Sequence, residues 1–320
     1  MTLRDVRSGL ADYQAWATDP RPRIGLGLDF FDKYTNGGLA KAECAMILAY
    51  SSVGKTSIAL NMIANNPQVP TVFFSLEMSW RQVVARETGI TSGIPTWELE
   101  QLLKAGEVPP SIIQTGINYP FLLGDDASEM SIKDMKAGVM EASQKLGQQI
   151  RLVVIDYLEL IGGAGMLGKA EQVDKAAQKI RALAKDCDTS VVVLHQVAKG
   201  DGSGGHEALS LDSGKFGGHH PMDYVIGAYA PRLDRKLTKQ QQAEMEGEIY
   251  LQLLKNRNGK ARPEGIRHYL DPMSGRLCEW GKQHQQALSV PAFQPTLQQQ
   301  TPVPDWVAGL GRPQVEDDSF

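Results

Sequence analysis

Cysteine is scarce in this chain. Its 320 residues include only Cys44, Cys187 and Cys278, an odd and scattered set that argues against a disulfide framework or a zinc site and for a reducing cytoplasm. His219-His220 near Asp223 could approach a metal, but no Cys or Glu lies at ligand spacing. No apolar stretch approaches the roughly 18 residues that cross a bilayer, and Met1-Thr2-Leu3-Arg4-Asp5 does not open a signal peptide. No membrane partner is therefore expected. An excess of positive charge is also missing: 33 Lys and Arg stand against 37 Asp and Glu, a net charge of −4. This weakens any reading based on a broad basic face. The chain does have 42% hydrophobic residues, enough for a sizeable core, at a length that suits one or two domains.

The most informative segment is Ala49-Tyr50-Ser51-Ser52-Val53-Gly54-Lys55-Thr56, set between the apolar run Ala45-Met46-Ile47-Leu48 and a helical pattern that starts at Ser57. Strand, tight turn and helix in this order point several backbone N–H groups and a helix N-terminus at one spot, which makes a triphosphate cradle. The expected nucleotide contacts are Ala49, Tyr50, Ser51, Ser52, Val53, Gly54, Lys55, Thr56 and Ser57. Lys55 is expected to reach the β- and γ-phosphates of ATP, and Thr56 to offer its hydroxyl to Mg²⁺. Ala49 stands where the P-loop pattern has its first glycine, so this position must tolerate a methyl group.

Three more apolar runs end on polar groups. Thr71-Val72-Phe73-Phe74-Ser75-Leu76 ends on Glu77, Arg151-Leu152-Val153-Val154-Ile155 on Asp156, and Ser190-Val191-Val192-Val193-Leu194 on His195 and Gln196. Open parallel sheets bind ligands at the carboxyl ends of their strands. A P-loop NTPase needs one carboxylate to hold Mg²⁺ and another to orient the attacking water, tasks that suit Asp156 and Glu77. Gln196 is the candidate sensor of the γ-phosphate, and His195 reads as structural. Further on, 248–254 runs into Lys255-Asn256-Arg257-Asn258-Gly259, and extended stretches at 265–270 and 276–280 flank the turn Asp271-Pro272-Met273-Ser274-Gly275. This predicts an antiparallel meander with Lys255 and Arg257 near a hairpin tip. Position alone does not single them out.

In order and text these segments resemble the ATPase domain of DnaB-type hexameric replicative helicases. The resemblance is carried by Gly27-Leu28-Asp29 through Thr35-Asn36-Gly37-Gly38-Leu39, the Ala-initiated P-loop, Ser75-Leu76-Glu77-Met78, Ile155-Asp156-Tyr157-Leu158-Glu159-Leu160, the helix at 176–185 and the Lys255-to-Gly259 tip. It implies a RecA-like α/β fold, a doubly wound and mostly parallel sheet with a C-terminal antiparallel meander, assembled as a ring around single-stranded DNA. It also implies that Arg257 enters the neighbouring subunit's site as an arginine finger, with Lys255 beside it. Such a finger is worth about 10³–10⁵ in hydrolysis rate.

The expected organisation is an amphipathic arm at 1–21, the ATPase domain at 22–281, and a Gln- and Pro-rich tail at 282–320. In the arm, Leu3, Val6, Leu10, Tyr13 and Trp16 recur at helical spacing before Asp19-Pro20. The arm either docks on an adjacent subunit or packs on its own core. With no match to the N-terminal domain of bacterial members, a phage or plasmid replication system is expected, in the host cytoplasm. A ring can gather a few loop lysines in a narrow channel despite the acidic total. By the resemblance the loops after Asp156 and Gln196 line it, and they offer Lys169, Lys199 and Lys215 among many glycines whose N–H groups can meet phosphates. The tail finishes on Val315-Glu316-Asp317-Asp318-Ser319-Phe320, an acidic cluster with an aromatic that suits docking on a primase, polymerase or other replisome protein. Two other functions stay open from the residues alone: a RecA-like recombination ATPase that binds single strands without unwinding, and a nucleotide-gated module that recruits replication proteins.

Overall fold

The computed structural model describes residues 5–21, 23–107, 122–125, 130–158, 161, 169–197, 204–213 and 217–282. Its frame is a nine-stranded sheet in the order β3-β2-β4-β5-β1-β6-β7-β8-β9. The strands are β1 (Cys44–Ala49), β2 (Thr71–Ser75), β3 (Leu122–Asp125), β4 (Leu152–Asp156), β5 (Ser190–Gln196), β6 (Tyr224–Tyr229), β7 (Glu248–Asn256), β8 (Arg262–Leu270) and β9 (Leu277–Glu279). From β3 to β6 all pairings are parallel, and from β6 onward they are antiparallel. The expected meander is thus the antiparallel flank of the same sheet.

Every residue of β1, β2 and β4 is buried, because a parallel sheet covered on both faces needs apolar side chains at successive positions. The helices are α1 (Val6–Ala17), α2 (Asp29–Asp32), α3 (Lys55–Ala64), α4 (Trp80–Ser92), α5 (Thr96–Lys104), α6 (Ile132–Leu146), α7 (Lys169–Asp186) and α8 (Lys239–Glu244). In α7, Val173, Ala176, Ala177, Ile180, Leu183 and Ala184 are buried, a stripe at intervals of three and four that faces the core. Capping boxes at Ser79 and Gln82 and at Ser131 and Asp134 fix the starts of α4 and α6, and left-handed Gly93 and Gly147 stop them.

Two strands are not legible in the sequence. One is β3. The other is β6, which lies between the P-loop strand and the meander. Gly227 interrupts its apolar run, and a Cβ there would stand 2.9 Å from Leu254 Cδ1. Close packing of β6 on β7 therefore requires the residue that weakens the strand signal.

The arm forms α1, with Asp5 as its N-cap accepting from Ser8 N at 2.8 Å. None of its residues is buried, and Val6, Leu10 and Tyr13 are exposed. Trp16 alone is half-buried, with the Arg23 guanidinium 5.1 Å over its ring. Residues 283–320 lie outside the described residues, as does Leu3.

Candidate functional site

The turn after β1 is bent as a phosphate cradle requires. Ser52 and Gly54 both have positive φ, 66° and 112°, and Gly54 caps α3 in the left-handed conformation. Gly54 could not be replaced easily, since a Cβ would stand 2.6 Å from Leu270 Cδ2 at the end of β8. Ala49 causes no such conflict: it is the last, fully buried residue of β1, paired with Gln196 and Ala228. Lys55 Nζ donates to the carbonyls of Ala49 at 3.3 Å and Tyr50 at 3.4 Å, which folds its ammonium back over the loop.

The sheet brings the two carboxylates together. Ser75 pairs with Asp156 across β2 and β4, and Leu76 N donates to Asp156 O at 2.7 Å. Thr56 Oγ1 donates to Asp156 Oδ2 at 2.8 Å. The other oxygen, Oδ1, is buried with no hydrogen-bond partner among the described residues. Burial pushes the Asp156 carboxyl up to about 6; the Thr56 hydrogen bond and the charges of Lys55 and Arg86 pull it down, while Glu77 pushes it further up. An orphaned buried carboxylate oxygen beside a threonine hydroxyl is a hard-oxygen donor pair of the type that holds Mg²⁺.

Ser51, Ser52, Gly54, Lys55, Thr56, Glu77, Met78, Arg86, Tyr157 and Gln196 together line one cleft of about 370 Å³. Glu77 is exposed there, and Gln196 Nε2 donates to Ser51 Oγ. His195 is fully buried behind it. A second hollow of about 380 Å³ shares Ser52, Gly54 and Arg86 with the cleft and adds Ser57, Ile90, Leu270, Pro272 and Met273. Sequence reasoning missed Arg86 and this extension. Arg86 sits two turns into α4 with no motif around it, and only the packing of α4 against α3 aims it at the cleft.

The β8–β9 turn is fastened to the P-loop helix by a buried asparagine. Asn61 Nδ2 donates to Ser57 O at 2.7 Å and Gly275 O at 2.8 Å, and its Oδ1 accepts from Leu277 N at 2.9 Å. Arg276 then reaches the last carbonyls of α4, donating to Ile90 O at 2.6 Å and Thr91 O at 2.7 Å.

Lys255 and Arg257 are not in this cleft. Tyr224 pairs with Asn256 and with Ala45, at the start of β1, so the hairpin tip lies at the amino edge of the parallel strands. At about 3.3 Å per residue, the five steps from Cys44 to Ala49 put roughly 16 Å between that edge and the P-loop. Lys255 Nζ donates to His219 O at 3.1 Å and His220 O at 2.8 Å; burial, with the charge of Arg257 behind it, holds its ammonium below the usual lysine range. Arg257 Nη1 bonds Asp223 Oδ1 at 3.1 Å, so Asp223 is engaged by an arginine rather than grouped with the histidines beside it. The same edge carries a hollow of about 480 Å³, lined by Trp16, Arg21, Arg23, Lys41 and Arg151 among others. It contains no P-loop residue.

Of the expected DNA contacts, Lys199 and Lys215 lie outside the described residues, as does the side chain of Lys169, which opens α7. Two described glycines of the second loop have defined surroundings. A Cβ on Gly205, whose φ is 98°, would stand 2.9 Å from Tyr50 Cβ, and Gly218 N donates to Asp174 Oδ1 at 2.8 Å. Gly205 thus packs on the P-loop, and the Gly218 N–H is taken by α7.

The chain has relatives among known proteins in both sequence and fold. The chain is 29% identical over 245 residues to the replicative DNA helicase DnaB of Treponema pallidum, an alignment that covers 74% of this chain and 52% of that protein. To the replicative DNA helicase DnaB of Leifsonia xyli it is 25% identical over 245 residues, 75% and 52% of the two chains. It spans about half or less of the length of such relatives. Among solved structures, an isolated ATPase domain superposes with a TM-score of 0.72 over 87% of this chain and 99% of that one, at 16% identity. A DnaB-like replicative helicase, in a structure titled for its interactions with primase, gives 0.67 over 87% and 67% at 16% identity. The fold is therefore the one these two structures share, and with residues 24–268 matched to the DnaB-like helicase C terminal domain, the chain belongs to that family.

Proposed function

We propose that the chain is the motor of a homohexameric, ATP-driven helicase that translocates on single-stranded DNA during replication, with each nucleotide held between two subunits. The observation that carries this reading is the division of catalytic groups between opposite edges of one sheet. The P-loop, Asp156 and Glu77 share the carboxyl edge, while Arg257 is held at the amino edge. A second copy of the chain, set edge to edge, supplies what the first lacks.

In the cleft, the N–H groups of 51–56 and the Lys55 ammonium hold the phosphates. Thr56 and Asp156 would hold Mg²⁺, which would supply neutralisation of the phosphate charge. Glu77 orients the attacking water, Gln196 responds to loss of the γ-phosphate, and the hollow beside Leu270 and Pro272 takes the base and ribose. The neighbour's Arg257 position, with Lys255 behind it, supplies charge to the transferring phosphoryl group. The exposed stripe of α1 suits docking on the adjacent subunit, and Lys169, Lys199 and Lys215 are assigned to the channel. The acidic segment 315–320 is assigned to a primase, polymerase or other replisome partner.

Fork unwinding, measured beside ATPase with and without single-stranded DNA, tests the reading. ATP-dependent unwinding together with DNA-stimulated turnover is expected. DNA-stimulated turnover without unwinding would favour the recombination-type ATPase, and turnover indifferent to DNA would favour a nucleotide-gated recruiter.

A further inference from the structure

We infer that Asp223 is a positioning residue for the finger: it parks Arg257 on its own chain between turnovers, while Arg181 stays behind as the permanent partner of the carboxylate. The inference rests on the reading of Arg257 as a group that acts in a neighbour's site.

Asp223 is buried, its side chain 3% exposed, and its two oxygens have different partners. Oδ2 accepts from the backbone N of Cys44 at 2.8 Å and from Arg181 Nη1. Oδ1 takes Arg257 Nη1 at 3.1 Å. Arg181 is also anchored to Ala42 O at 3.1 Å, whereas the Arg257 side chain is 46% exposed. Stripping a buried carboxylate of its only cation is strongly unfavourable. Here departure of Arg257 leaves a guanidinium and a backbone N–H in place, so one partner is exchangeable.

The backbone around the exchangeable partner does not share that freedom. Arg257 N donates to Asp223 O at 2.9 Å, Asn256 Nδ2 to Tyr34 O at 2.8 Å, and Asn258 Nδ2 to Glu43 Oε1 at 2.6 Å. The tip is pinned on both sides of Arg257, so only the side chain moves. A carboxylate and a phosphate oxygen compete for the same guanidinium fork. Asp223 therefore sets how readily the finger exchanges. An ion pair with one partner this exposed is worth a factor of up to about five, enough to bias the position of Arg257 and too little to trap it.

The test is steady-state ATPase of the full chain carrying Asp223→Asn or Arg181→Met, each alone and combined with Arg257→Ala. Asp223→Asn weakens the hold on Arg257 and should raise kcat by up to about fivefold; Arg181→Met leaves Arg257 as the only side-chain cation on the carboxylate and should lower kcat by a similar factor. In both, the KM for Mg-ATP should stay unchanged, since neither residue meets the chain's own nucleotide. Both effects should vanish from the residual turnover of Arg257→Ala. A fall in kcat for both variants, or an effect that persists without Arg257, would mean a structural role and overturn the inference. If Asp223→Asn fails to fold, the better exposed Arg181→Met decides by the same criterion of dependence on Arg257. Normal turnover by Arg257→Ala alone would instead remove the finger reading itself.

Discussion

At the carboxyl edge of the parallel strands, Lys55, Thr56, Glu77, Arg86 and Gln196 line one cleft, buried Asp156 accepts from Thr56 there, and an asparagine clasp at Asn61 locks the helix that carries the first two. At the amino edge, Arg257 and Lys255 meet no such centre: one is held by Asp223 and the other by two backbone carbonyls. The first region gathers the groups proposed to hold phosphate and metal. The second is a set of cations whose present partners belong to their own chain. A doubly wound sheet collects ligand groups at its carboxyl ends, and in the proposed reading the cationic hairpin tip at the other end serves this chemistry through a second copy of the chain.

The sharpest way to break this comparison is to remove one group from the amino edge and two, singly, from the carboxyl edge. Arg257→Ala should reduce hydrolysis by about 10³–10⁵ while nucleotide binding is retained. Lys55→Ala should lose turnover and weaken binding, because its ammonium meets the phosphates already in the ground state. Glu77→Gln should bind ATP almost normally and stop hydrolysis, since its role begins with the attacking water. Single-turnover hydrolysis beside a fluorescent-nucleotide titration separates the three. Normal turnover by Glu77→Gln would take Glu77 out of the site.

The next effect sets the metal end of the cleft apart by pH. Asp156 in the folded chain titrates at about 6, above its ordinary 3.8, chiefly through burial. The folded state therefore holds the proton more tightly than the unfolded one. With no ion bound, this contribution to stability is present below about 4 and is lost as pH rises to about 6. Mg²⁺ requires the ionised form, so Mg-dependent nucleotide affinity should fall by roughly tenfold per pH unit below about 6. Asp156→Asn should remove that slope in a Mg²⁺ titration from pH 5 to 8, and a slope that survives would place its origin elsewhere.

Reversing the charge at both Lys199 and Lys215 should leave basal ATPase intact and lower the log–log salt slope of single-strand binding by roughly 1.4, about 0.7 for each lost phosphate contact. An unchanged slope would move the DNA path away from that loop. The smallest effect on turnover belongs to Asn61→Ala. It strips partners from Gly275 O and Leu277 N, and loss of such buried hydrogen bonds costs about 1–3 kcal/mol each. A lowered midpoint in thermal unfolding checks it, with kcat little changed.

The two edges are also unequally legible in the sequence. The carboxyl edge can be read because the strands that carry its candidate groups are apolar runs that stop on the candidate residue itself, as at Ile155-Asp156 and Leu76-Glu77. The P-loop is contiguous, so its text and its geometry coincide. Arg86 cannot be read, because the packing of one helix selects it from several surface arginines. At the amino edge, Arg257 emerges only through family resemblance. Its partners are Asp223, just before β6, and Arg181 in α7, 34 and 76 positions away in sequence, and no local pattern marks a pair that only the sheet order brings together. The strand that holds them there, β6, is hidden by Gly227.

The most direct test of the division between edges is to mix two inactive proteins. Arg257→Ala keeps its own Glu77 and lacks a finger, whereas Glu77→Gln keeps the finger and lacks the base. In mixed oligomers, an interface that pairs the Glu77 of one with the Arg257 of the other is whole, and ATP turnover should return in proportion to the frequency of such interfaces. No recovery in oligomers shown by native mass spectrometry to contain both variants would contradict the account, and would mean that the two edges of the sheet do not share a site.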